Sequence, residues 1–286
     1  MGTAEIFSEH RSLLFGIAYR MLGRIAEAED MVQEAWLRWQ RQALPEIRSP
    51  KAWLVAATTR LCIDHLRSAR HQREQYYGVW LPEPLVEQAD PAPDHSEALA
   101  ESLTMAFMLL LEKLSPIERA VFLLRNVFDY EYSEIAGIVN KSETNCRQIA
   151  SRARTRLARF SSPAMPPSSQ AERIVQQFLA AQKTGSVDDL LALLTEDAIL
   201  YGDGGGRVPA LGRPLHGADP ISRFFIGIRR LIPANLELRI TRMNHAIGVL
   251  AFVDRQVIQA MSFEFDGDRI RAIYVVRNPE KLKHLN

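Results

Sequence analysis

The stretch Tyr132–Phe160, YSEIAGIVNKSETNCRQIASRARTRLARF, has the residue pattern of two helices joined by a tight turn. Its first part places apolar residues at the spacing of one buried helix stripe. Asn140 follows, a residue that tolerates the left-handed backbone of a sharp turn. Ser142 or Thr144 can then cap a second helix, and Glu143 adds negative charge to the first turn of that helix.

The second helix has an apolar side and a side rich in arginine. The inner face, at about 100° per residue, carries Cys146, Ile149, Ala150, Ala153 and Leu157. The groups able to hydrogen-bond to base edges in a DNA major groove lie on the outer face, on Thr144, Arg147, Gln148, Ser151 and Arg152. An ordinary helix hairpin with a solvated basic face is the alternative. The near-absence of acidic residues on the outer face favours a DNA-reading helix-turn-helix.

Length and composition limit the remaining possibilities. The 286 residues are enough for two or more domains, and the net charge of +1 means that any attraction to nucleic acid must come from local basic patches. Cys62 and Cys146 fall on predicted buried helix faces, which favours reduced packing residues over a disulfide. The sequence shows no secretory signal, bilayer-length apolar run, metal-ligand cluster, phosphate loop or nucleophile elbow. We therefore predict a soluble, cytoplasmic protein that needs no cofactor and no membrane.

Three amphipathic helices are predicted before residue 74. The first ends near Gly23, and the second runs from about Ile25 to Gln42 with a polar outer face. Ser49 caps a long, basic third helix that has proline at its start. On this helix, Trp53 can either pack in the core or stack on an unpaired base, a contact worth about 1–3 kcal/mol. The residues alone leave both roles of Trp53 open.

Residues 74–100 have the composition of an acidic linker. They contain four prolines and six acidic residues but no lysine or arginine. Proline stiffens short pieces of such a segment, so an extended conformation is predicted. One piece, WLPEP, is unusually apolar for a linker and indicates docking onto another surface. The residues of this piece are Trp80, Leu81, Pro82, Glu83 and Pro84.

The C-terminal third changes from helical to β-rich patterns. A boundary rich in serine and proline is predicted at 161–169, and strands follow from Leu236 onward, with a hairpin turn at Asp266-Gly267. This order predicts an α+β cone with a curved antiparallel sheet over 170–286. An enzyme built on this cone would need an acid or a base, but no spacing selects a pair. The available candidates are Asp197, Tyr201, Asp203 and His245.

A glycine-rich loop, DGGGR, lies in the same region. Three glycines let the backbone adopt positive φ or approach a partner closely. A phosphate cradle is disfavoured because no helix N-terminus with a GK[ST] sequence follows. A plain loop and a contact site therefore remain as alternatives. The loop consists of Asp203, Gly204, Gly205, Gly206 and Arg207.

Three runs together resemble bacterial sigma factors of the extracytoplasmic-function (ECF) group. They are AEAEDMVQEAWLRWQ, SPKAWLVAATTRLCIDHLRSAR and LSPIERAVFLLRNVFDYEYSEIA, which match in order, spacing and residue type across about 7–160. The resemblance implies two all-α modules: sigma region 2, a helical bundle, at 1–73, and sigma region 4, with the helix-turn-helix, at 101–160. It also implies promoter-specific transcription initiation with two partners, promoter DNA and core RNA polymerase, the latter contacted at its β′ clamp helices and β flap.

The same resemblance implies roles for individual residues. Polymerase contacts are expected on Asp30, Gln33, Glu34 and Arg38. Contacts to the −10 promoter element are expected on Trp53, Arg60, Asp64, Arg67 and Arg70. Contacts to the −35 element are expected on Thr144, Arg147, Gln148, Ser151 and Arg152. The sequence departs from the family pattern at VAATTR (residues 55–60) and at Asn140-Lys141 in the turn.

The C-terminal third resembles the SnoaL-like members of the NTF2-like superfamily across about 170–282. WLPEP, DGGGR and a final NPEKL (residues 278–282) together resemble an ECF subgroup with a fused SnoaL-like domain. This implies regulation in cis, without a separate anti-sigma factor. Regulatory contacts are expected on Trp80, Leu81, Pro82, Glu83, Pro84, Asp203, Gly204, Gly205, Gly206, Arg207, Asn278, Pro279, Glu280, Lys281 and Leu282. The alternatives are a DNA-binding regulator that acts without polymerase and an enzyme whose cone binds or turns over a small molecule.

Overall fold

The computed structural model describes residues 2–42, 47–74, 76–86, 103–158 and 166–286, which fall into two compact units. Of these residues, the helical unit contains 2–42, 47–74, 103 and 107–158. The C-terminal unit contains 76–86, 104–106 and 166–286. The WLPEP piece of the predicted linker therefore packs with the C-terminal unit. The rest of that linker from residue 87 to 100, and residues 161–165 of the second predicted boundary, lie outside the described residues.

In the described residues up to 158, the three helices before residue 74 and the two of the helix-turn-helix lie where they are predicted, and two further helices precede the helix-turn-helix. Their bounds are α1 Thr3–Leu22, α2 Ile25–Gln40, α3 Pro50–Glu74, α4 Met105–Leu111, α5 Pro116–Asn126, α6 Tyr132–Val139 and α7 Glu143–Ala158. Gly23 ends α1 in the left-handed conformation, with φ of 71°, as a residue without Cβ allows. The Ser49 hydroxyl accepts a hydrogen bond from the Ala52 amide at 3.3 Å, which confirms the predicted cap of α3.

The helix-turn-helix forms as predicted from its local sequence. Asn140 ends α6 with φ of 53° and ψ of 56°, and the Ser142 hydroxyl accepts the Asn145 amide at 3.2 Å to cap α7. Ser142 is thus the cap, rather than Thr144. The predicted inner face of α7 is buried throughout, at Cys146, Ile149, Ala150, Ala153 and Leu157.

Within the helical unit, α3 packs against α1 and α2 and also against α5 and α6. Arg119 on α5, 3% exposed, donates to the Met21 carbonyl of α1 and pairs with Glu112 at 2.8 Å. The two predicted modules therefore share buried contacts in one compact unit. Cys62 is a buried free thiol, like Cys146, and burial raises its pKa, so the expected packing role is confirmed for both.

The C-terminal unit joins three helices to a six-stranded sheet of order β2-β1-β6-β5-β4-β3. Its elements are α8 Ser168–Thr184, α9 Val187–Leu193, β1 Leu194–Asp203, β2 Leu215–His216, α10 Ala218–Gly227, β3 Glu237–Met243, β4 Ala246–Val253, β5 Gln256–Asp266 and β6 Arg269–Val276. Short 3-10 turns follow α10 and end the chain at Ile228–Leu231, Pro279–Lys281 and Lys283–Leu285.

The prediction of a purely antiparallel sheet is wrong at one strand pair. Strands β3 to β6 form the expected antiparallel meander, but β1 lies parallel to β6, with Tyr201 opposite Tyr274. No hairpin connects β1 to β6, so the meander does not fix the direction of β1. The predicted strands begin only at Leu236, and β1 precedes that residue. Helices first and a meander last still give the predicted α+β class.

Aromatic packing fills the space between the helices and the sheet of the C-terminal unit. Phe178 on α8 is fully buried and meets Phe225 on α10 at 5.1 Å and Phe263 on β5 at 5.6 Å, both edge to face. Such aromatic pairs stabilise the packing of the helices on the sheet beyond what the buried apolar area alone contributes. Among the described residues of the chain, no helix has both the length and the apolar character needed to cross a bilayer.

Candidate nucleic-acid interface and linker site

The outer face of α7 is free to meet a partner. All five residues predicted to contact the −35 element are exposed: Thr144, Arg147, Gln148, Ser151 and Arg152. Other arginines of this helix face back toward the helical unit. Arg154 donates to the Asn126 amide oxygen at 2.7 Å, and Arg156 pairs with Glu118 at 3.1 Å. These two arginines fix α7 to α5, while the predicted reading residues stay on the surface.

Glu118 shows how the electrostatics of this junction work. Burial of the Glu118 carboxyl acts to raise its pKa. Hydrogen bonds from Ser115 and the charges of Arg156 and Arg152 act in the opposite direction, and the net result is a lowered pKa. The carboxylate therefore remains charged and holds the basic helix in place.

Tyr132, which is not among the site residues predicted from the sequence, supports Arg147. The Arg147 guanidinium lies 4.6 Å above the Tyr132 ring and pairs with Glu143 at 3.2 Å. Arg125 also lies over this ring, at 5.2 Å. The ring holds two cations beside the start of α7 through cation–π attraction. The signal available from sequence was only an aromatic residue at the first position of α6.

The predicted polymerase-contact residues lie on the solvent side of α2. Asp30, Gln33 and Arg38 are exposed, and Glu34 is half-buried. Arg38 and Glu34 form an i,i+4 ion pair at 2.8 Å. The opposite side of α2 is buried at Ala28, Val32, Ala35 and Trp39.

Trp39 and Trp53 pack against one another. The Trp39 indole is fully buried and donates to the Thr3 carbonyl at 3.0 Å, which makes it a core residue. Trp53 is half-buried, with its ring 5.4 Å from that of Trp39. The Trp53 ring, which could stack on a base, therefore packs against the core residue Trp39 in this structure.

The predicted −10 face of α3 is divided between solvent and the helix-turn-helix. Asp64 and Arg67 are exposed and pair with each other at 3.2 Å. Arg60 instead donates from Nε to the Ile138 carbonyl at 2.8 Å and from a terminal nitrogen to the Gly137 carbonyl at 2.6 Å. The side chain of Arg70 lies outside the described residues. The structure thus gives Arg60 an intramolecular partner that the sequence did not predict.

Asp203, at the end of β1, is the centre of a second site, formed within the C-terminal unit. Its carboxylate is fully buried. One oxygen accepts the Tyr76 hydroxyl at 2.5 Å and the Gly205 amide at 3.0 Å. The other accepts the Leu81 amide at 2.9 Å and the Lys281 ammonium at 2.7 Å. Two linker residues therefore bind a single carboxylate of the sheet.

Lys281 supplies the positive charge of this site and contacts both Asp203 and the linker. Its side chain is only 2% exposed. The ammonium group donates to the Leu81 carbonyl and lies 4.2 Å from the Trp80 ring centre and 5.0 Å from that of Tyr76. A buried charge is stable only when it is paired and hydrogen-bonded, and the aromatic rings add cation–π attraction. We call the set Tyr76, Trp80, Leu81, Asp203 and Lys281 the linker clamp.

The glycine loop and the last residues of the chain shape the clamp. Gly205 has φ of 61°, and a Cβ there would lie 2.2 Å from the Asn278 amide nitrogen. That nitrogen donates to the Tyr76 hydroxyl at 2.9 Å. At the surface, Arg207 pairs with Glu280 at 3.5 Å. The structure therefore brings together the WLPEP, DGGGR and NPEKL motifs.

The rest of the WLPEP piece continues along the C-terminal unit. Leu81, Pro82, Glu83 and Pro84 are all buried. The Leu85 amide donates to the Asn244 side chain at 2.9 Å, and the Asn244 amide returns a bond to the Leu85 carbonyl at 2.8 Å. A ring nitrogen of His284 meets the Pro84 carbonyl at 2.8 Å. The linker piece is thus docked along its whole described length.

The four residues considered for catalysis have different surroundings. The Asp203 carboxylate accepts a hydrogen bond from the linker, whereas Asp197 is exposed. His245 lies in the turn between β3 and β4, with φ of 56°. The Tyr201 ring stacks on Tyr274 at 5.1 Å, and burial, with the charge of Glu264, raises the pKa of Tyr201. Asp203 is therefore committed to a structural contact.

We predict that Lys281→Met lowers the free energy of opening of the C-terminal unit by about 3–5 kcal/mol, because it leaves the buried Asp203 carboxylate without its counter-ion. Native-state hydrogen exchange of the β1 amides measures this value. Lys283→Met is the matched control, because Lys283 pairs with Glu280 at the surface. Its effect should stay within about 0.5 kcal/mol. Equal effects of the two changes would contradict the assigned role of Lys281.

Tyr132→Leu should weaken binding to a DNA duplex selected from a random library by about two- to fivefold, because an exposed cation–π contact is worth about 0.5–1 kcal/mol. Tyr132→Phe keeps the ring and should bind nearly as well as the parent. In an Arg147→Ala background, Tyr132→Leu should add little further loss. Fluorescence anisotropy gives all the affinities, and additive losses would show that the ring does not act through Arg147.

Comparison with known proteins places these features in a family. Residues 6–72 match the model of Sigma-70 region 2, and residues 104–157 match that of Sigma-70, region 4. The ECF RNA polymerase sigma factor SigJ of Mycobacterium tuberculosis is 39% identical over 226 residues, which cover 78% of this chain and 72% of that protein. The probable ECF RNA polymerase sigma factor SigI of the same organism is 32% identical over 279 residues, covering 96% and 93%.

The fold comparison extends over the C-terminal unit. The crystal structure of M. tuberculosis SigJ matches with a TM-score of 0.78 at 31% identity, and the match covers 99% of this chain and 98% of that one. The predicted combination of two all-α sigma modules with a C-terminal α+β domain is therefore confirmed. On these matches, the chain belongs to the ECF RNA polymerase sigma factors.

Proposed function

We propose that this sigma factor binds core RNA polymerase and directs promoter-specific initiation, and that its C-terminal unit restrains it in cis by holding the linker between regions 2 and 4. The sigma modules occupy residues 1–73 and 101–160, the linker 74–100, a short boundary 161–169 and the regulatory domain 170–286. The protein acts on polymerase in the cytoplasm. Restraint from within the chain requires no separate anti-sigma factor.

The linker clamp is the observation that carries the regulatory part of this proposal. The Asp203 carboxylate binds the Tyr76 hydroxyl and the Leu81 amide, while Lys281 binds the Leu81 carbonyl. Both ionic groups are buried. Pulling the linker away would break these hydrogen bonds and the cation–π contact of Lys281 with Trp80, which costs free energy. The linker is therefore held unless another interaction supplies free energy.

The distance between promoter elements requires that the sigma modules separate. Positions −10 and −35 differ by 25 base pairs, which is about 85 Å along the helix axis at roughly 3.4 Å per pair. In this structure α3, the predicted −10 helix, contacts α6 of the helix-turn-helix directly through Arg60. An α-helix of 25 residues is only about 37 Å long. The closed helical unit cannot place α3 and α7 on both elements at once.

Polymerase docking is the proposed source of the free energy that opens the protein. Moving a two-state equilibrium from 1:99 to 99:1 takes about 5.5 kcal/mol of differential binding, which a large protein interface can supply. We assign the docking surface to the solvent side of α2, at Asp30, Gln33, Glu34 and Arg38. In the open state we assign the −10 element to α3, at Trp53, Arg60, Asp64, Arg67 and Arg70. The −35 element is assigned to α7, at Thr144, Arg147, Gln148, Ser151 and Arg152.

We assign the C-terminal unit a regulatory role instead of a catalytic one. Asp203, the buried carboxylate among the candidates for acid–base chemistry, accepts bonds from the linker, the glycine loop and Lys281. A general base must keep a lone pair for the proton that it abstracts. The clamp geometry thus favours binding of the linker over turnover of a small molecule.

Transcription with purified core polymerase tests both halves of the proposal. Lys281→Met should raise promoter-directed transcription, by about tenfold for each 1.4 kcal/mol of restraint removed. Lys283→Met should transcribe like the parent. Glu34→Lys should abolish association with core polymerase without unfolding the chain. If the parent directs transcription and Lys281→Met does so equally well, restraint in cis is refuted. If none of these forms directs initiation, the sigma function is refuted.

Arg152 offers a separate test of the −35 assignment. If its guanidinium meets a phosphate, Arg152→Ala should reduce the slope of log affinity against log salt by about 0.9. If it reads a base edge, the same change should relax preference at one base pair, at a cost of about 1–3 kcal/mol. Salt titrations on duplexes with single-base changes separate these outcomes. An unchanged slope together with unchanged preference would remove Arg152 from the interface.

A further inference from the structure

Arg60 of region 2 caps a helix of region 4. Its guanidinium donates to the carbonyls of Gly137 and Ile138, which lie in the last turn of α6. The last carbonyls of an α-helix have no partner within the helix, and that end carries partial negative charge. A cation that hydrogen-bonds there is stabilising. Here the cation belongs to another helix, α3. Arg60 precedes Gly137 by 77 positions in the chain and Ile138 by 78.

Apolar contact surrounds this ionic contact. Ile63, the next residue of α3 on the same face, is buried, as are Ile138 and Val139 of the helix-turn-helix. Together with Arg60 and Ile117, they line a cleft between α3, α5 and the turn after α6. Asp64 and Arg67 stand at the same cleft and pair with each other. The end of α6 thus covers part of the face that region 2 is assigned for promoter DNA.

The chemistry of the contact explains why arginine suits this position. A guanidinium is a planar fork that can donate to two neighbouring acceptors at once, whereas an ammonium acts as a point charge. The two distances, 2.8 and 2.6 Å, are those of charge-assisted hydrogen bonds. Arg60 is nevertheless an exposed residue, so water can replace both carbonyls when the helices part. The contact is therefore specific and also reversible.

We propose that Arg60 has two alternative partners: the last carbonyls of α6 in the closed protein and the −10 DNA in the open one. A single guanidinium cannot bind both, because promoter binding separates the modules. A contact between the two sigma modules themselves thereby stabilises the closed protein, in addition to the restraint that the linker clamp provides. This inference rests on the proposed sigma function, since only promoter spacing requires opening.

The test measures closure in the free, full-length protein. Gln33 on α2 and Gln148 on α7 are exposed and can be changed to cysteine for a pair of dyes, because Cys62 and Cys146 are buried. Single-molecule energy transfer then gives the ratio of closed to open molecules. Arg60→Met should lower that ratio about tenfold, as expected for hydrogen bonds to a charged group. Arg60→Lys, which keeps the charge but loses the fork, should lower it by a smaller factor.

Arg67→Met is the matched control. It removes a cation from the same face of α3, but its described ion pair is with Asp64 on its own helix. Its closed-to-open ratio should equal that of the parent. An unchanged ratio in both Arg60 variants, or an equal fall in Arg67→Met, would overturn the proposal.

Two further measurements keep the result interpretable. Hydrogen exchange at the α6 amides should quicken in Arg60→Met and not in Arg67→Met, and far-ultraviolet circular dichroism checks that every variant remains helical. Arg60→Lys replaces Arg60→Met should the latter not fold. Failure of the sigma function would appear in the transcription assay, which does not use these variants. Failure of the Arg60 proposal would appear in the energy-transfer ratio and in the hydrogen exchange of α6, and not in the transcription assay.

Discussion

A buried ion pair is stable only when its remaining hydrogen-bonding groups are satisfied, and this constraint couples the linker to the C-terminal unit. The Asp203–Lys281 pair is almost completely desolvated. The sheet and glycine loop supply the Gly205 amide, but the Tyr76 hydroxyl, the Leu81 amide and the Leu81 carbonyl come from the linker. Without the linker, the two ionic groups would lose these three hydrogen bonds. Linker docking is thus part of the domain's own electrostatic balance.

The two intramolecular restraints differ in kind, and the difference follows from solvent. In the linker clamp the charges are buried, so breaking it exposes the full cost of an unsatisfied pair. The Arg60 contact is open to water, which can take over its hydrogen bonds at modest net cost. The first is suited to holding a segment against thermal motion. The second is suited to biasing an equilibrium that polymerase and DNA must be able to reverse.

Local features of this chain were predictable from sequence, whereas tertiary contacts to backbone groups were not. Asn140 and Ser142 specify the turn and cap of the helix-turn-helix through their own side chains, and both predictions are confirmed. The bond from Arg60 to two carbonyls leaves no trace in the sequence of α6, because every residue has a carbonyl. The parallel pairing of β1 with β6 was missed for a related reason, since no turn joins them.

The closed structure also sets an order of events through what it covers and what it leaves exposed. The face of α7 that we assign to the −35 element and most of the assigned polymerase face of α2 are already exposed to solvent. On α3, by contrast, the end of α6 occupies Arg60. Polymerase can therefore dock on α2, and duplex DNA can meet α7, before the modules part. On the proposed assignment, contact of α3 with the −10 element must come later, because it needs the same face that α6 covers. On the proposed assignments, docking on α2 thus comes first, and the free energy of the completed polymerase interface then separates the modules so that α3 can reach the −10 element.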